Sequence, residues 1–318
     1  MRPRASLTLL LVMVVATIGC ATASRAPAPR DSPAQGDWWY HGLRPPTTPQ
    51  PFTPTIFAEL GVLFPTNLAY SPDGRRLVFT AVNAEIPRHV VAVLFESRFD
   101  GTRWSRPAYV RAVHQPGHNN AEPVFSPDGR WLYFTSTRPP GELPWYGKLF
   151  RAAVTDSGYG PTEMVTLDIP AAAEIAYPQF DHAGNLLFTS TRIPGRGEGD
   201  LFVARRRADG ESGRPTLVEG DFNTERHDWD LVESPDGRLR LWASMRAGGA
   251  GRVDIYASRL TDDGRWSPAR NVTAINTPAV ETAPRLSPDG HVLFFQRQRA
   301  DGKEELWWVR AEAVIPET

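Results

Sequence analysis

Five glycines, Gly74, Gly129, Gly184, Gly237 and Gly290, stand 55, 55, 53 and 53 residues apart in a chain of 318 residues. Four of them close the tetrapeptide Ser-Pro-Asp-Gly, which starts at Ser71, Ser126, Ser234 and Ser287; the remaining one closes Asp181-His182-Ala183-Gly184. In such a turn proline fixes φ and glycine accepts a positive φ, so the chain reverses within four residues. A period held this closely means one supersecondary unit stacked repeatedly, each copy burying a face that it cannot bury alone. The length would allow two domains, but the repeat favours a single closed one.

Each copy carries the same parts in the same order. A short segment leads into the turn ("AEPVF", 121–125; "TAPRL", 282–286), and a strand rich in β-branched and aromatic residues leaves it ("WLYFTST", "NLLFTST", "HVLFFQR"). A third strand follows: "KLFRAAV" (148–154), "DLFVARR" (200–206), "DIYASRL" (254–260) and "ELWWVRA" (305–311). A second hairpin, "DGTRWSRP" (100–107) or "DDGRWSP" (262–268), then leads to a fourth strand. Four antiparallel strands repeated radially make a propeller blade, so the fold class is all-β, a β-propeller of five four-stranded blades.

Closure follows from what is left over. The last copy shows no fourth strand before Thr318, whereas elsewhere a proline (Pro107, Pro161, Pro215, Pro268) opens that strand 19 or 20 residues ahead of the turn. Counting back from Ser71 lands on Pro51 to Pro54, at the head of "PTIFAELGV". This segment is expected to be the missing strand, closing the last blade and removing the open edges.

The repeated Ser-Pro-Asp-Gly turn with an aromatic strand behind it, the "DGRWSP" hairpin and "INT" before the last copy resemble the WD-repeat-like propellers of the TolB type. The resemblance covers roughly residues 52–313. Propellers of that family commonly have six blades, which is the alternative to five. For function it implies action through protein–protein contacts in the periplasm, without catalysis.

The first twenty residues carry Arg2 and Arg4, then "LTLLLVMVVATIG", too short an apolar run for a comfortable membrane span, and close on Gly19-Cys20. They resemble a bacterial lipoprotein signal peptide, in which Cys20 is lipidated and becomes the mature N-terminus, although Thr17 stands where that signal prefers Leu. Ala21 leans, by the same resemblance, towards the outer membrane. Residues 21–50 are rich in Pro and Ala and read as an extended tether, interrupted by Trp38, Trp39 and Tyr40, and residues 51–318 form the propeller domain. Cys20 is the only cysteine, which excludes an internal disulfide and a cysteine zinc site. A net charge of −1 gives no default affinity for nucleic acid or an anionic surface. The expected setting is therefore the periplasm, with a lipid anchor at Cys20 in the outer membrane and an envelope protein as partner.

Two sets of polar residues converge on the end of the propeller opposite the Ser-Pro-Asp-Gly turns, here called the mouth. Ahead of the innermost strands stand His118, Asn120 and Glu122, then Glu174, then His227, Asp228 and Asp230, then Glu281. At the ends of the second strands stand Arg138, Arg192, Arg246 and Arg299, with Asn83 in the first copy. One reading is that they pair with each other and with loop carbonyls, fixing blade registry through bidentate contacts. The other is a polar ligand or cation site at the rim. His114 and His118 in "HQPGH", with "HDWD" (227–230), offer imidazole and carboxylate ligands for a divalent ion, but Pro116 and Gly117 break the helix that would align the first pair. No nucleophile elbow, phosphate loop or His-Glu zinc motif is present, and no cofactor is implied beyond such a cation. Glu122, Glu174, Asp228 and Glu281 are acids enough at one rim for a glycosidase pair, which leaves a hydrolase or lyase of a sugar or lactone, or a carbohydrate receptor, as the alternative to a non-catalytic scaffold.

Overall fold

The computed structural model describes residues 40–61, 63–83, 91–138 and 147–315. The signal segment with Cys20, and Trp38 and Trp39, lie outside the described residues. Blade 1 holds β2 (Phe64–Tyr70), β3 (Arg76–Val82), β4 (Ala92–Arg98) and β5 (Ala108–Tyr109). Blade 2 holds β6 (Asn120–Phe125), β7 (Trp131–Ser136), β8 (Lys148–Val154) and β9 (Tyr159–Met164); blade 3 holds β10 (Ala176–Phe180), β11 (Leu186–Ser190), β12 (Asp200–Ala204) and β13 (Thr216–Leu217). Blade 4 holds β14 (Asp228–Glu233), β15 (Leu239–Ser244), β16 (Asp254–Arg259) and β17 (Arg270–Asn271). In blade 5, β18 (Glu281–Leu286), β19 (Val292–Gln298) and β20 (Glu304–Arg310) are joined on the outside by β1 (Gln50–Pro51). The protein is an all-β propeller of five four-stranded blades, closed by its N-terminal strand. Among the described residues no helix is long and apolar enough to cross a membrane.

The closing strand is shorter and earlier than the proline spacing predicts. Only Gln50 and Pro51 pair, with Trp308 and Trp307, and Thr55–Leu60 winds into a 3-10 helix instead of extending. Pro51 and Pro54 have no N–H to donate, so a longer ladder would lack donors; two residues on an edge tolerate one proline. Anchorage comes from side chains. Phe52, 2% exposed, lies 5.0 Å from the Phe294 ring and 4.8 Å from that of Trp308, and its N–H donates to Leu306 O. Tyr40 is buried against the same two rings, and Arg310 donates its backbone N–H to Pro46 O.

The Ser-Pro-Asp-Gly turn holds itself together and also joins blades. Ser126 Oγ donates to Asp128 Oδ1 (2.6 Å) and accepts from Trp131 N (3.0 Å), while Gly129, at φ 69°, returns its N–H to Ser126 O. The same bonds recur at Ser71, Ser234 and Ser287. Pro72 of blade 1 lies over the bare face of Gly129 in blade 2, and Pro235 of blade 4 over Gly290 in blade 5. Blade 3 departs from the motif for a visible reason. His182 replaces the proline, lies on Gly237, and donates its backbone N–H to Glu233 Oε1 (3.0 Å) with its Nδ1 2.6 Å from the same oxygen. Glu233, buried, also accepts from Arg240 Nε (2.8 Å), so the exceptional turn carries a charged joint between blades 3 and 4.

Candidate site at the mouth and waist of the channel

Most rim charges are engaged by their own loops. Asp228 Oδ2 accepts from Thr224 N (2.7 Å) and Thr224 Oγ1 (2.6 Å), and Glu281 accepts from Thr277 N (3.0 Å) and Thr277 Oγ1 (2.6 Å). Glu174 Oε1 takes both the backbone N–H and the hydroxyl of Thr191. The guanidiniums grip loop carbonyls from the other side. Arg138 reaches Val113 O, Asn120 Oδ1 (2.7 Å) and Thr162 Oγ1 (3.0 Å) across the faces of Phe134 and Phe150. Arg246 reaches Phe222 O (3.1 Å) and Asp221 O (3.0 Å) across Trp242 and Tyr256, 3.5 Å from Asp228 Oδ1.

Two arginines break the expected pattern. Arg192 is largely exposed; it donates to Ala172 O (3.3 Å) and its Nε stands 3.8 Å from Glu174. Arg299 turns into the hairpin beyond β19 and faces Asp301 at 3.5 Å, half-exposed. Its expected work is done by Arg297, which donates to Glu281 Oε1 (2.8 Å) and Ile275 O over the Trp307 ring (4.1 Å). Ile275 O is the counterpart of Val113 O and Phe222 O, so the three clasps are one device. Arg297→Ala leaves the buried Glu281 without its guanidinium and should cost about 1.5–3 kcal/mol, whereas Arg299→Ala should stay within about 0.5 kcal/mol. Urea denaturation of the two variants side by side checks this, and equal losses would refute the reassignment.

The histidines do not gather. His114 meets the Tyr109 ring at 4.9 Å, and His227 packs edge-on against Trp229 at 4.7 Å with its basicity lowered by burial. His118 is half-buried, and its carbonyl accepts from Asn120. Among the described residues no three His, Asp or Glu side chains stand together so as to hold a metal ion, so the cation considered for the rim gains no ligand set.

Below the rim lies a feature that spacing does not reveal. One residue in each innermost strand, four positions ahead of the turn, has a positive φ: Asn67 (46°), Glu122 (55°), Tyr177 (51°), Asp230 (63°) and Ala283 (50°). Each sits at a register shift between the first two strands of its blade, a β-bulge that re-aims its side chain. Three of the bulge N–H groups are held by the preceding blade: Glu122 N by Thr80 Oγ1 (2.9 Å), Asp230 N by Thr189 Oγ1 (3.2 Å), and Tyr177 N by Glu122 Oε2 (2.7 Å), which also accepts from Thr135 Oγ1 (3.0 Å). This ring is called the waist.

The waist also ties blade 5 to both of its neighbours. Arg285 of blade 5 donates Nη1 to Asp230 Oδ1 of blade 4 (2.5 Å), and its Nη2 lies 3.5 Å from Asn67 Oδ1 of blade 1. Glu122 of blade 2 occupies the same bulge position as Asp230, and the charges of both Asp230 and Arg285 act on it. Burial pushes the Glu122 carboxyl up to about 7; the N–H of Tyr177 opposes that, and Asp230 adds to it. Asp230 is raised too, by burial, against the pull of Arg285. Asp230 Oδ2, Arg285 Nε and Gln296 Nε2 are buried without a partner. Glu122 and Asp230 thus belong to the waist, apart from the loop clasps. The signal that could have located it is the recurrent threonine of "VFTA", "YFTST" and "LFTST", whose hydroxyl serves the bulge.

No family model matches the chain, and no curated protein does either. Solved structures similar to it include an oligogalacturonate lyase in complex with manganese (14% identity, TM-score 0.42, covering 80% of this chain and 66% of that one). They also include a puromycin hydrolase (18%, 0.43, 82% and 42%) and a thermostable family-43 glycoside hydrolase (14%, 0.48, 77% and 89%). The chain therefore spans less than two thirds of the first two, and at these scores none of the likenesses carries a substrate or a metal to it.

Proposed function

We propose that the protein is a non-catalytic binding scaffold of the cell envelope: a TolB-like propeller, exported to the periplasm and held at the outer membrane by a lipid on Cys20. Its mouth face meets a protein partner. The observation that supports this is the engagement of rim charges by loop backbone: Asp228 and Glu281 hold loop N–H groups, while Arg138, Arg246 and Arg297 hold loop carbonyls. Loops fixed in advance lose little freedom on binding, which suits recognition by shape. A catalytic rim would need acid and base groups free to exchange protons with a substrate.

In-cell photo-crosslinking from the exposed mouth positions Glu198 and Arg226, with Asp73 on the turn face as control, tests the reading. One discrete crosslinked protein from the mouth, absent from the control and lost in a Cys20→Ala chain that no longer fractionates with membranes, is the expected result. Equal or absent labelling from both faces overturns it. Glu174 Oε2 and Asp200 Oδ1, buried in blade 3 and accepting no hydrogen bond, favour a second reading, a sugar or lactone site at the mouth. A melting temperature raised by an acidic oligosaccharide in the wild type, but not in Glu174→Gln, would establish that reading instead.

A further inference from the structure

The loop clasps account for the rim, but they leave the waist unexplained. Two carboxyl groups, Glu122 and Asp230, stand at the same bulge position of the innermost strands of blades 2 and 4; Asp230 holds the Arg285 guanidinium, whereas Glu122 holds only the Tyr177 N–H and the Thr135 hydroxyl. Arg285 bonds a single oxygen of Asp230, and the other oxygen has no partner. Both acids are buried, Glu122 at 6% exposure and Asp230 at 0%. Asp230 has Arg285 as its cation, but Glu122 has none within ion-pairing distance among the described residues, so the two buried carboxylates are one positive charge short, and like charges in a low-dielectric channel repel. Glu122 is contacted by Thr80 of β3, Thr135 of β7 and Tyr177 of β10, and the charges that act on it are those of Asp230 of β14 and Arg285 of β18. None of them is a second cation.

We propose that the waist is a proton-operated latch: one proton held by the Glu122–Asp230 pair lets the five bulges close on the axis, and its loss sets two carboxylates against each other and loosens blades 2 and 4. The linkage has a definite sign. A carboxyl that titrates higher in the folded chain than in the unfolded one keeps its proton in the folded state after the unfolded state has lost it. Stability is then full below the ordinary carboxylate range, and falls as pH rises towards about 7, where Glu122 titrates. This is the reverse of the salt-bridged carboxylate, whose contribution is lost in acid.

The test is the melting temperature of the full propeller between pH 5 and pH 8.5, for the wild type, Glu122→Gln and Asp230→Asn. The wild type is expected to melt several degrees lower at pH 8 than at pH 5. Glu122→Gln keeps an oxygen for Tyr177 N–H and Thr135 without a charge, so it should remove most of that slope and melt above the wild type at pH 8. A wild-type melting temperature that is flat or rises over this range, or a slope unchanged in Glu122→Gln, overturns the proposal. Should a variant fail to fold, hydrogen exchange on the wild type decides. After correction for intrinsic rates, the Tyr177 and Asp230 amides should open at least tenfold more at pH 8 than at pH 5, while the turn amide of Gly129 stays unchanged; uniform behaviour of all three refutes the latch.

Discussion

Arg285→Met should be the most damaging single replacement in the waist, costing about 3–5 kcal/mol, because it strands a buried carboxylate that has no other cation. Asp230 is fully buried, and its bond to Arg285 Nη1, at 2.5 Å, is the one hydrogen bond its carboxylate accepts among the described residues. Methionine keeps most of the packing volume, so the loss reads the charge and not a cavity. The effect should be larger at pH 8 than at pH 5, because Asp230 already resists ionisation with its partner present and can escape in acid by taking a proton. Removing both ends together, Asp230→Asn with Arg285→Met, should recover much of the loss, since a buried pair replaced as a unit is often close to neutral. Urea denaturation of the two single variants and the double variant gives the coupling directly. A single-variant cost below about 1 kcal/mol, or a double variant no better than Arg285→Met, would refute this account.

Phe52→Ala should cost about 3–5 kcal/mol, as for other buried aromatic residues, although it sits outside the ladder beside a strand of only two residues. The backbone pairs of β1 are few, and both of its side chains are exposed, so hydrogen bonds at its edge cannot account for closure. Phe52 instead fills the space between Phe294 and Trp308, with Phe57 at 5.8 Å. Truncating it should expose Trp308, so the loss of stability should be accompanied by a red-shifted and more quenchable tryptophan emission before global unfolding. Pro51→Ala, at an exposed edge position, is the matched control and should stay within about 0.5 kcal/mol. If Phe52→Ala behaves like that control, the closure resides in the strand and not in the ring.

The blades were legible because their signals are local. Proline and glycine in each turn, and alternating strands behind it, place β6 to β8 and β14 to β16 almost residue by residue. Counting from the turn fails at Arg299 because β19 runs on to Gln298 and pairs it with Glu304, which pushes residue 299 into the hairpin. Spacing indicates that an N-terminal segment closes the ring but puts the strand in "PTIFAELGV"; Pro51 and Pro54, whose missing donors spacing ignores, confine the pairing to Gln50 and Pro51. The waist was hidden for another reason. A positive φ at Glu122, Tyr177 or Asp230 leaves no compositional mark, and no sequence separation indicates that residues of blades 2, 4 and 5 share one axis. Arg285, in the middle of "TAPRL", reads as an ordinary strand residue until the ring is closed.

Pairing Gln50 with Trp308 has a consequence for how the molecule comes apart and together. In an open stack of repeats the terminal copies have one neighbour each, and unfolding starts there and runs inward. Here the first and last blades are neighbours, so there is no terminal copy from which fraying can begin, and loss of any blade uncovers two faces at once. The same contact spans almost the whole domain in sequence, so it is among the slowest to form. Of the propeller's strands, the first to be synthesised is the one that takes its place last, and until it does, the apolar face around Phe294 and Trp308 stays uncovered.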